Sequence, residues 1–175
     1  AQPPFTTSKL QQEAFYKHRF SAVRTMKIAQ QLYEGLELGK EDNVGLITYM
    51  RTDSVTVSKD SIAGARDYIL KKYGKTYLPE VPNKFKSKKS AQEAHEAIRP
   101  TLPLREPDKV KAYLTPDQYK LYTLIWNRFI SSQMMPAVYS TISVGIKADR
   151  YLFKAHGSQK IFPGYSIVYE EDGES

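Results

Sequence analysis

The feature that most constrains the fold is a change in the spacing of apolar residues at Pro136. Before this proline, apolar residues recur every three to four positions, as in the stretch 122–129, which is the spacing of a helix. After it, apolar and small or polar residues alternate over 138–146, which is the pattern of a strand. The sequence therefore predicts a helical domain over residues 1–136 and a β segment over residues 137–175.

Two more stretches of the β segment are predicted to be strands, YLFKAH at 151–156 and YSIVYE at 165–170. Three strands without a covering layer make a poor sheet, because a small sheet needs a packed hydrophobic face for stability. We therefore expect this segment to pack against a partner outside the chain.

Capping residues mark the starts of five predicted helices. The clearest start is at Thr115-Pro116-Asp117-Gln118, which combines an N-cap, a proline at the first helical position and a glutamine that completes a capping box. Glycines and prolines supply the predicted ends. The predicted helices cover residues 9–17 after Ser8, 22–34 after Ser21, 59–73 after Ser58, 91–98 after Ser90 and 116–133 after Thr115.

The first two predicted helices are joined by the short turn HRFS and resemble a helix-turn-helix, although any packed helical hairpin gives the same pattern. Residues 35–44 are polar and contain glycine, so we interpret them as a loop. The apolar run 45–50 is predicted to be a strand, placed as a wing strand is in a winged-helix domain. The predicted fold class is mainly α, a winged-helix or helix-turn-helix-like domain with one short β strand, followed by the partial β segment.

The composition favours a nucleic-acid partner. Lysines and arginines exceed acidic residues, giving a net charge of +7 and a pI of about 9.4, and a basic domain usually faces a polyanion. A merely basic surface would give the same numbers. The chain has no cysteine and three histidines, which excludes disulfides and makes a zinc site improbable. With no membrane-length apolar run and no signal-peptide pattern at the N-terminus, we expect a cytoplasmic protein.

The stretch GLITYMRTDS, residues 45–54, contains the first candidate chemical group. Tyr49 lies at the end of the predicted strand, with Arg51 and Asp53 following at alternate positions. A phenol has a pKa of about 10, so it becomes a nucleophile near neutral pH only beside cations or a base. A core or rim tyrosine is the alternative interpretation of Tyr49 alone.

The stretch AQEAHEAIRPT, residues 91–101, contains the second. His95 and Arg99 are four residues apart, so a helix would place them on one face. An imidazole and a guanidinium suit a phosphodiester, because both donate hydrogen bonds to its oxygens. A solvated helix end is the alternative. Taken together, the two stretches predict a tyrosine nucleophile with electrostatic support for phosphodiester cleavage.

The chain resembles the type IA DNA topoisomerases, and within them the bacterial topoisomerase I group. Four stretches carry the resemblance in the order and context of that family, and FPGYSIVY near the end is similar as well. Met50, which lies between Tyr49 and Arg51, is typical of the bacterial group. The four stretches are PPFTTSKLQQEA, GLITYMRTDS, AQEAHEAIRPT and LYTLIWNRF.

The resemblance implies a role for each candidate residue. Tyr49 matches the nucleophile that attacks single-stranded DNA and becomes joined to the 5′-phosphate. Arg51 matches the arginine that positions the scissile phosphate, and His95 matches the histidine that contacts it. Asp53 matches an acidic residue implicated in the balance of cleavage and religation, and Arg99 is assigned a supporting role.

The resemblance also implies the domain organisation. Residues 1–136 correspond to the tyrosine-bearing domain, often called domain III, and residues 137–175 to part of the neighbouring arch domain. The Mg²⁺ site of the family lies in a Toprim domain with a D-x-D-x-E motif, and no D-x-D occurs in this chain. We therefore expect no metal ligand in this chain. The resemblance also implies that no ATP is required and that the partners are the remaining Toprim and arch domains of the same polypeptide. The fragment alone is expected to bind single-stranded DNA weakly without cutting it.

Two other functions combine similar residues. A tyrosine recombinase or type IB enzyme also uses tyrosine, arginine and histidine, but places the tyrosine after the other two, whereas Tyr49 precedes His95 and Arg99. The second alternative is a winged-helix DNA-binding module without chemistry, in which Tyr49 only packs or stacks on bases.

Overall fold

The computed structural model describes residues 1–39, 41–86 and 95–170. The main elements in these residues are α1 (Thr7–His18), α2 (Ala22–Glu34), β1 (Leu36–Leu38), β2 (Glu41–Val44), α3 (Lys59–Tyr73), α4 (Pro107–Val110), α5 (Pro116–Ser132), β3 (Val138–Ala148) and β4 (Tyr151–Phe162). Three short 3₁₀ turns cover Lys75–Tyr77, Lys111–Tyr113 and Gly164–Ile167.

The capping signals give most helix starts correctly. The hydroxyl of Ser21 caps α2, that of Ser58 caps α3, and Thr115 forms the predicted capping box with Gln118 at the start of α5. The start of α1 is different, because the hydroxyl of Thr6 accepts from the N–H of Lys9 and the helix begins two residues earlier than predicted. The sequence around it offers several hydroxyl side chains in a row, and composition alone does not choose among them.

The core forms around α5, which packs against α1, α2, α3 and α4. Ile125 and Phe129 on this helix are completely buried, and Trp126 is nearly so. Trp126 meets Tyr68 of α3 edge-on at 5.2 Å between ring centroids, and its indole N–H donates to the carbonyl of Pro103. The helical pattern of the sequence thus identified the buried face of α5 correctly.

Two segments before α3 differ from the prediction. Within the predicted loop 35–44, Leu36–Leu38 and Glu41–Val44 pair as the antiparallel strands β1 and β2, and Gly39 after β1 is in the left-handed region at a φ of 68°. The run 45–50, predicted to be a strand, makes one isolated bridge between Ile47 and Pro100. Its apolar residues are buried among helices and irregular segments, so no neighbouring strand is needed to cover them.

The predicted helix 91–98 is wrong over its described residues. Residues 95–98 are not helical, and Ile98 instead forms an antiparallel bridge with Phe5. The cause is long-range pairing of this segment with other parts of the chain, described below. Residues 91–94, including the Ser90 cap and the rest of that prediction, lie outside the described residues.

The β segment is a single long hairpin. Strands β3 and β4 pair antiparallel from Val138↔Phe162 to Ala148↔Tyr151, and nearly all their residues are exposed, including Ile142, Ile146 and Phe153. The third predicted strand, 165–170, is wrong, because Gly164–Ile167 is a 3₁₀ turn that follows Pro163. The need for a partner outside the chain stays a prediction.

The architecture is mixed α and β rather than mainly α. The described residues contain five α-helices and two small two-stranded antiparallel sheets. The change from helix to strand lies between Ser132 and Val138, where the sequence pattern changes. No helix in the described part of the chain combines the length and apolar character needed to cross a membrane.

Glu106 provides a pH-dependent contribution to this fold. Its carboxylate accepts hydrogen bonds from Lys109, from the Tyr68 hydroxyl at 2.9 Å and from Lys72 at 3.3 Å. These donors, with Lys109 the strongest, hold the pKa of Glu106 below its usual value of about 4.5. A lowered pKa means that the unfolded state binds more protons, so the contribution is present above about pH 4.5 and disappears as the pH falls through the lower folded-state pKa.

We predict that Glu106→Gln lowers the free energy of unfolding near pH 7 and that its difference from the unchanged chain shrinks below about pH 4.5. Urea unfolding followed by the fluorescence of Trp126, the single tryptophan, measures this. The exposed Glu80→Gln is the control and should stay within about 0.5 kcal/mol of the unchanged chain. A difference for Glu106→Gln that is independent of pH would contradict the assignment.

Candidate active site

The segment 49–54 presents alternate side chains to solvent. Tyr49, Arg51 and Asp53 are exposed, while Met50, Thr52 and Ser54 between them are buried. Tyr49 is 44% exposed even though Ile47 two positions before it is completely covered. The three residues predicted from this stretch therefore lie on one exposed face.

Thr7 at the start of α1 holds this segment from one side. Its N–H donates to the carbonyl of Thr52 at 2.9 Å, and its hydroxyl donates to the carbonyl of Met50 at 2.7 Å. The same hydroxyl accepts from the N–H of Thr52 at 2.8 Å. Because a helix N-terminus carries partial positive charge, this attachment also places a favourable site for an anion beside Arg51.

Residues 97–101 hold the segment from the other side. Thr48 N–H donates to the carbonyl of Arg99 at 2.9 Å, and Thr101 N–H donates to the carbonyl of Leu46 at 2.9 Å. The Thr48 hydroxyl donates to the carbonyl of Ala97 at 2.7 Å and accepts from Arg99 N–H at 3.0 Å. These bonds replace the i to i−4 bonds of the predicted helix, which explains why 95–98 are not helical.

The pairing brings His95 to Tyr49. Their ring centroids are 6.3 Å apart and the rings meet edge-on at 76°. Tyr33, at the end of α2, meets the other side of Tyr49 with centroids 5.4 Å apart. Tyr33 is 42% exposed, and sequence reasoning missed it because only its distance from Tyr49 in space reveals the contact.

Arg51, Asp53 and His95 line an open cavity of about 610 Å³ together with the first turn of α1. The turn contributes Thr7, Ser8 and Gln11. The cavity therefore collects a guanidinium, an imidazole and the N-terminus of a 12-residue helix, all of which can donate to an oxyanion. Because the Tyr49 ring lies against His95, a phosphate bound in or beside the cavity would be close to the phenol.

Arg99 is not part of this exposed group. It is only 9% exposed, its Nε donates to Glu96 at 3.0 Å, and its Nη2 also contacts that carboxylate. Its Nη1 donates to the carbonyl of Pro100 at 3.1 Å. The expectation that Arg99 and His95 share a helical face is wrong, because the segment is extended and directs the two side chains into different environments.

Among residues 1–39, 41–86 and 95–170, no three or more histidine, cysteine or acidic side chains gather in a way that could hold a metal ion. What the site offers is an exposed phenol beside His95 and, in the adjoining cavity, the guanidinium of Arg51, a set suited to binding and attacking a phosphodiester.

Comparison with known proteins assigns this arrangement to a family. A family model described as DNA topoisomerase matches residues 1–175. Proteins named DNA topoisomerase 1 from Xylella fastidiosa strains Temecula1 and 9a5c are each 51% identical over 171 residues, covering 97% of this chain. The chain spans about a fifth of the length of these curated relatives, 21% in each case.

A solved structure gives the same assignment. The full-length topoisomerase I from Thermotoga maritima superposes with a TM-score of 0.84 and is 43% identical, and the match covers 97% of this chain and 27% of that one. At this identity and coverage, the similarity extends to the fold of nearly the whole chain.

The two site arginines are expected to differ in their effect on stability. Arg99→Ala should lower the free energy of unfolding by about 1–3 kcal/mol, because it removes the donor to the buried Pro100 carbonyl and the partner of the Glu96 carboxylate. Arg51→Ala, whose side chain is exposed, should stay within about 0.5 kcal/mol of the unchanged chain. Urea unfolding of both variants measures this, and the reverse order would mean that Arg99 is not the structural member of the pair.

Proposed function

We propose that this chain is the tyrosine-bearing part of an enzyme that cuts and rejoins DNA, because it belongs to the DNA topoisomerase family, within the type IA group. The observation that carries the proposal is the exposed Tyr49 ring, edge-on to His95 and beside the cavity that Arg51 lines. The activity belongs to the whole polypeptide, of which this chain represents about a fifth in its relatives.

The proposed reaction is a transesterification on single-stranded DNA. The Tyr49 hydroxyl oxygen attacks the phosphorus of a backbone phosphodiester, and the bond from phosphorus to the 3′-oxygen breaks. The DNA 5′-phosphate becomes joined to Tyr49, and the proton lost by the phenol is balanced by the proton gained by the 3′-hydroxyl. Religation is the reverse step. One phosphoester is exchanged for another, so the enzyme relaxes negative supercoils without ATP.

Arg51 and His95 are proposed to assist Tyr49. Arg51 donates to the non-bridging oxygens, where charge accumulates, and His95 donates to the same phosphate from the other side of the cavity. The N-terminus of α1 adds a favourable potential for the anion. Asp53 lines the same cavity, and we propose that its negative charge tempers phosphate binding and so affects the balance of cleavage and religation.

The remaining family features are part of the proposal. Residues 1–136 act as the tyrosine domain, with α1 and α2 as its helix-turn-helix, and residues 137–175 belong to the arch domain. Mg²⁺ would be held by the Toprim domain of the same polypeptide, which supplies metal-assisted charge stabilisation. The enzyme would work on the cytoplasmic nucleoid, and the isolated chain would not cut DNA. The comparisons give no support to a tyrosine recombinase or to a module without chemistry.

The nucleophile is tested in a hybrid enzyme, in which this chain replaces the matching segment of the Xylella fastidiosa DNA topoisomerase 1. With Mg²⁺ and a single-stranded oligonucleotide, we predict covalent protein–DNA adducts on a denaturing gel for the unchanged chain and none for Tyr49→Phe. The Phe ring keeps the contacts with Tyr33 and His95 but has no oxygen to attack phosphorus. Tyr16→Phe, an exposed tyrosine on α1, is the matched control and should form adducts normally.

Adducts from Tyr49→Phe at the level of the unchanged chain would disprove the assignment of the nucleophile. Absence of adducts from the hybrid with the unchanged chain, when the parent relative forms them, would disprove the proposed function.

The isolated chain should bind a single-stranded oligonucleotide with strong salt dependence. Contact with about four phosphates gives a log–log slope of about −3, or an affinity loss of about 50-fold between about 50 and 200 mM salt. Fluorescence anisotropy of a labelled oligonucleotide measures this. Arg51→Ala should make the slope shallower by about 0.7, and binding that is insensitive to salt would refute phosphate contacts by this surface.

A further inference from the structure

The carboxylate of Glu96 connects its own segment to the start of α3. Its Oε1 accepts from the N–H of Ser58 at 2.6 Å. Its Oε2 accepts from Nε of Arg99 at 3.0 Å and also contacts Nη2 of that guanidinium. Both oxygens are thus engaged while the side chain remains 30% exposed.

The attachment to Ser58 fixes Glu96 to a rigid element. Ser58 is the N-cap of α3, a 15-residue helix whose Ala65 and Ile69 are completely buried. A carboxylate at a helix N-terminus is also favoured by the helix dipole. The Ser58 contact therefore fixes the position of Glu96 relative to the core and not only relative to its own loop.

Glu96 directly follows His95 in the chain, so this attachment bears on where the imidazole lies. Within the described residues, the nearest main-chain hydrogen bond to His95 in its own segment is that of Ala97 N–H to Thr56 O at 2.8 Å. Between Ala97 and His95, the Glu96 side chain adds its contacts with Ser58 and Arg99. Since His95 is exposed and meets Tyr49 only edge-on, that contact alone is a weak constraint on the imidazole.

We propose that Glu96 is a positioning residue for DNA cleavage, which holds the His95 imidazole against Tyr49 by linking it to the start of α3 and to Arg99. This inference rests on the proposed function for its effect on rate. Its geometric part, that Glu96 keeps His95 beside Tyr49, holds for the chain by itself. A merely structural role would instead lower stability without changing the relation of the two rings.

The geometric part is tested by NMR on the chain itself. Protons of the His95 and Tyr49 rings should give a nuclear Overhauser effect in the unchanged chain, because the ring centroids are 6.3 Å apart. We expect this signal to be lost in Glu96→Ala and to be kept, at reduced intensity, in Glu96→Gln, whose amide oxygen can still accept from Ser58. Glu106→Ala, which removes a comparable ion-paired carboxylate elsewhere, should keep it in full.

The effect on rate is tested in the hybrid enzyme. Single-turnover cleavage at saturating oligonucleotide should slow about 10-fold to 100-fold in Glu96→Ala, because a displaced catalytic group costs rate more than binding. The dissociation constant should be unchanged, Glu96→Gln should be intermediate, and Glu106→Ala should cleave normally. In a His95→Ala background, Glu96→Ala should slow cleavage less than about twofold further, because the two changes affect one group.

Equal slowing by Glu96→Ala with and without His95, or an unchanged rate, would overturn the inference. A retained ring-to-ring signal in Glu96→Ala would overturn it as well. A failure of the proposed function would be seen differently: the hybrid with the unchanged chain would form no adduct, or Tyr49→Phe would form one. In that case the NMR experiment would still decide whether Glu96 keeps His95 beside Tyr49.

Discussion

The site depends on one antiparallel contact, that of Thr48 with residues 97–99. The main chain and hydroxyl of Thr48 together make three short hydrogen bonds with Ala97 and Arg99. Because Thr48 directly precedes Tyr49, these bonds fix the direction in which the tyrosine side chain leaves the backbone. Because the same bonds end two residues from His95, they also bring the imidazole close to Tyr49.

A second threonine completes the support. Thr7 bonds to the main chain of Met50 and Thr52, on the side of Tyr49 opposite Thr48. Threonine is suited to both places, because its hydroxyl donates and accepts at once and its branched side chain has few rotamers. Between the two threonines, the backbone of residues 48–52 is held on both sides while Tyr49 and Arg51 remain exposed.

Features that depend on local interactions were predicted correctly from the sequence. The caps at Ser21, Ser58 and Thr115 were correct, because capping depends on residues within one turn. The segment 95–98 was predicted wrongly because its alanines and glutamates favour a helix, whereas long-range partners on Thr48, Thr56 and Phe5 determine its conformation. The resemblance to a family pointed to Tyr49 and His95 as a pair, but their proximity in an extended rather than a helical segment required the structure.

Arg51 and Arg99 are the same residue type, but they differ in burial, and this difference gives them different roles. Arg99 is buried and Glu96 balances its charge. Leaving a buried charge without a partner would cost on the order of several kcal/mol. Arg51 is exposed, so hydration stabilises its charge until a phosphate replaces water. In the proposed function, attraction for the phosphate therefore comes from Arg51 and the N-terminus of α1, while the Arg99–Glu96 pair contributes geometry. Under the roles proposed for Tyr49 and Glu96, this neutral pair holds the imidazole in place and the exposed charge of Arg51 meets the substrate.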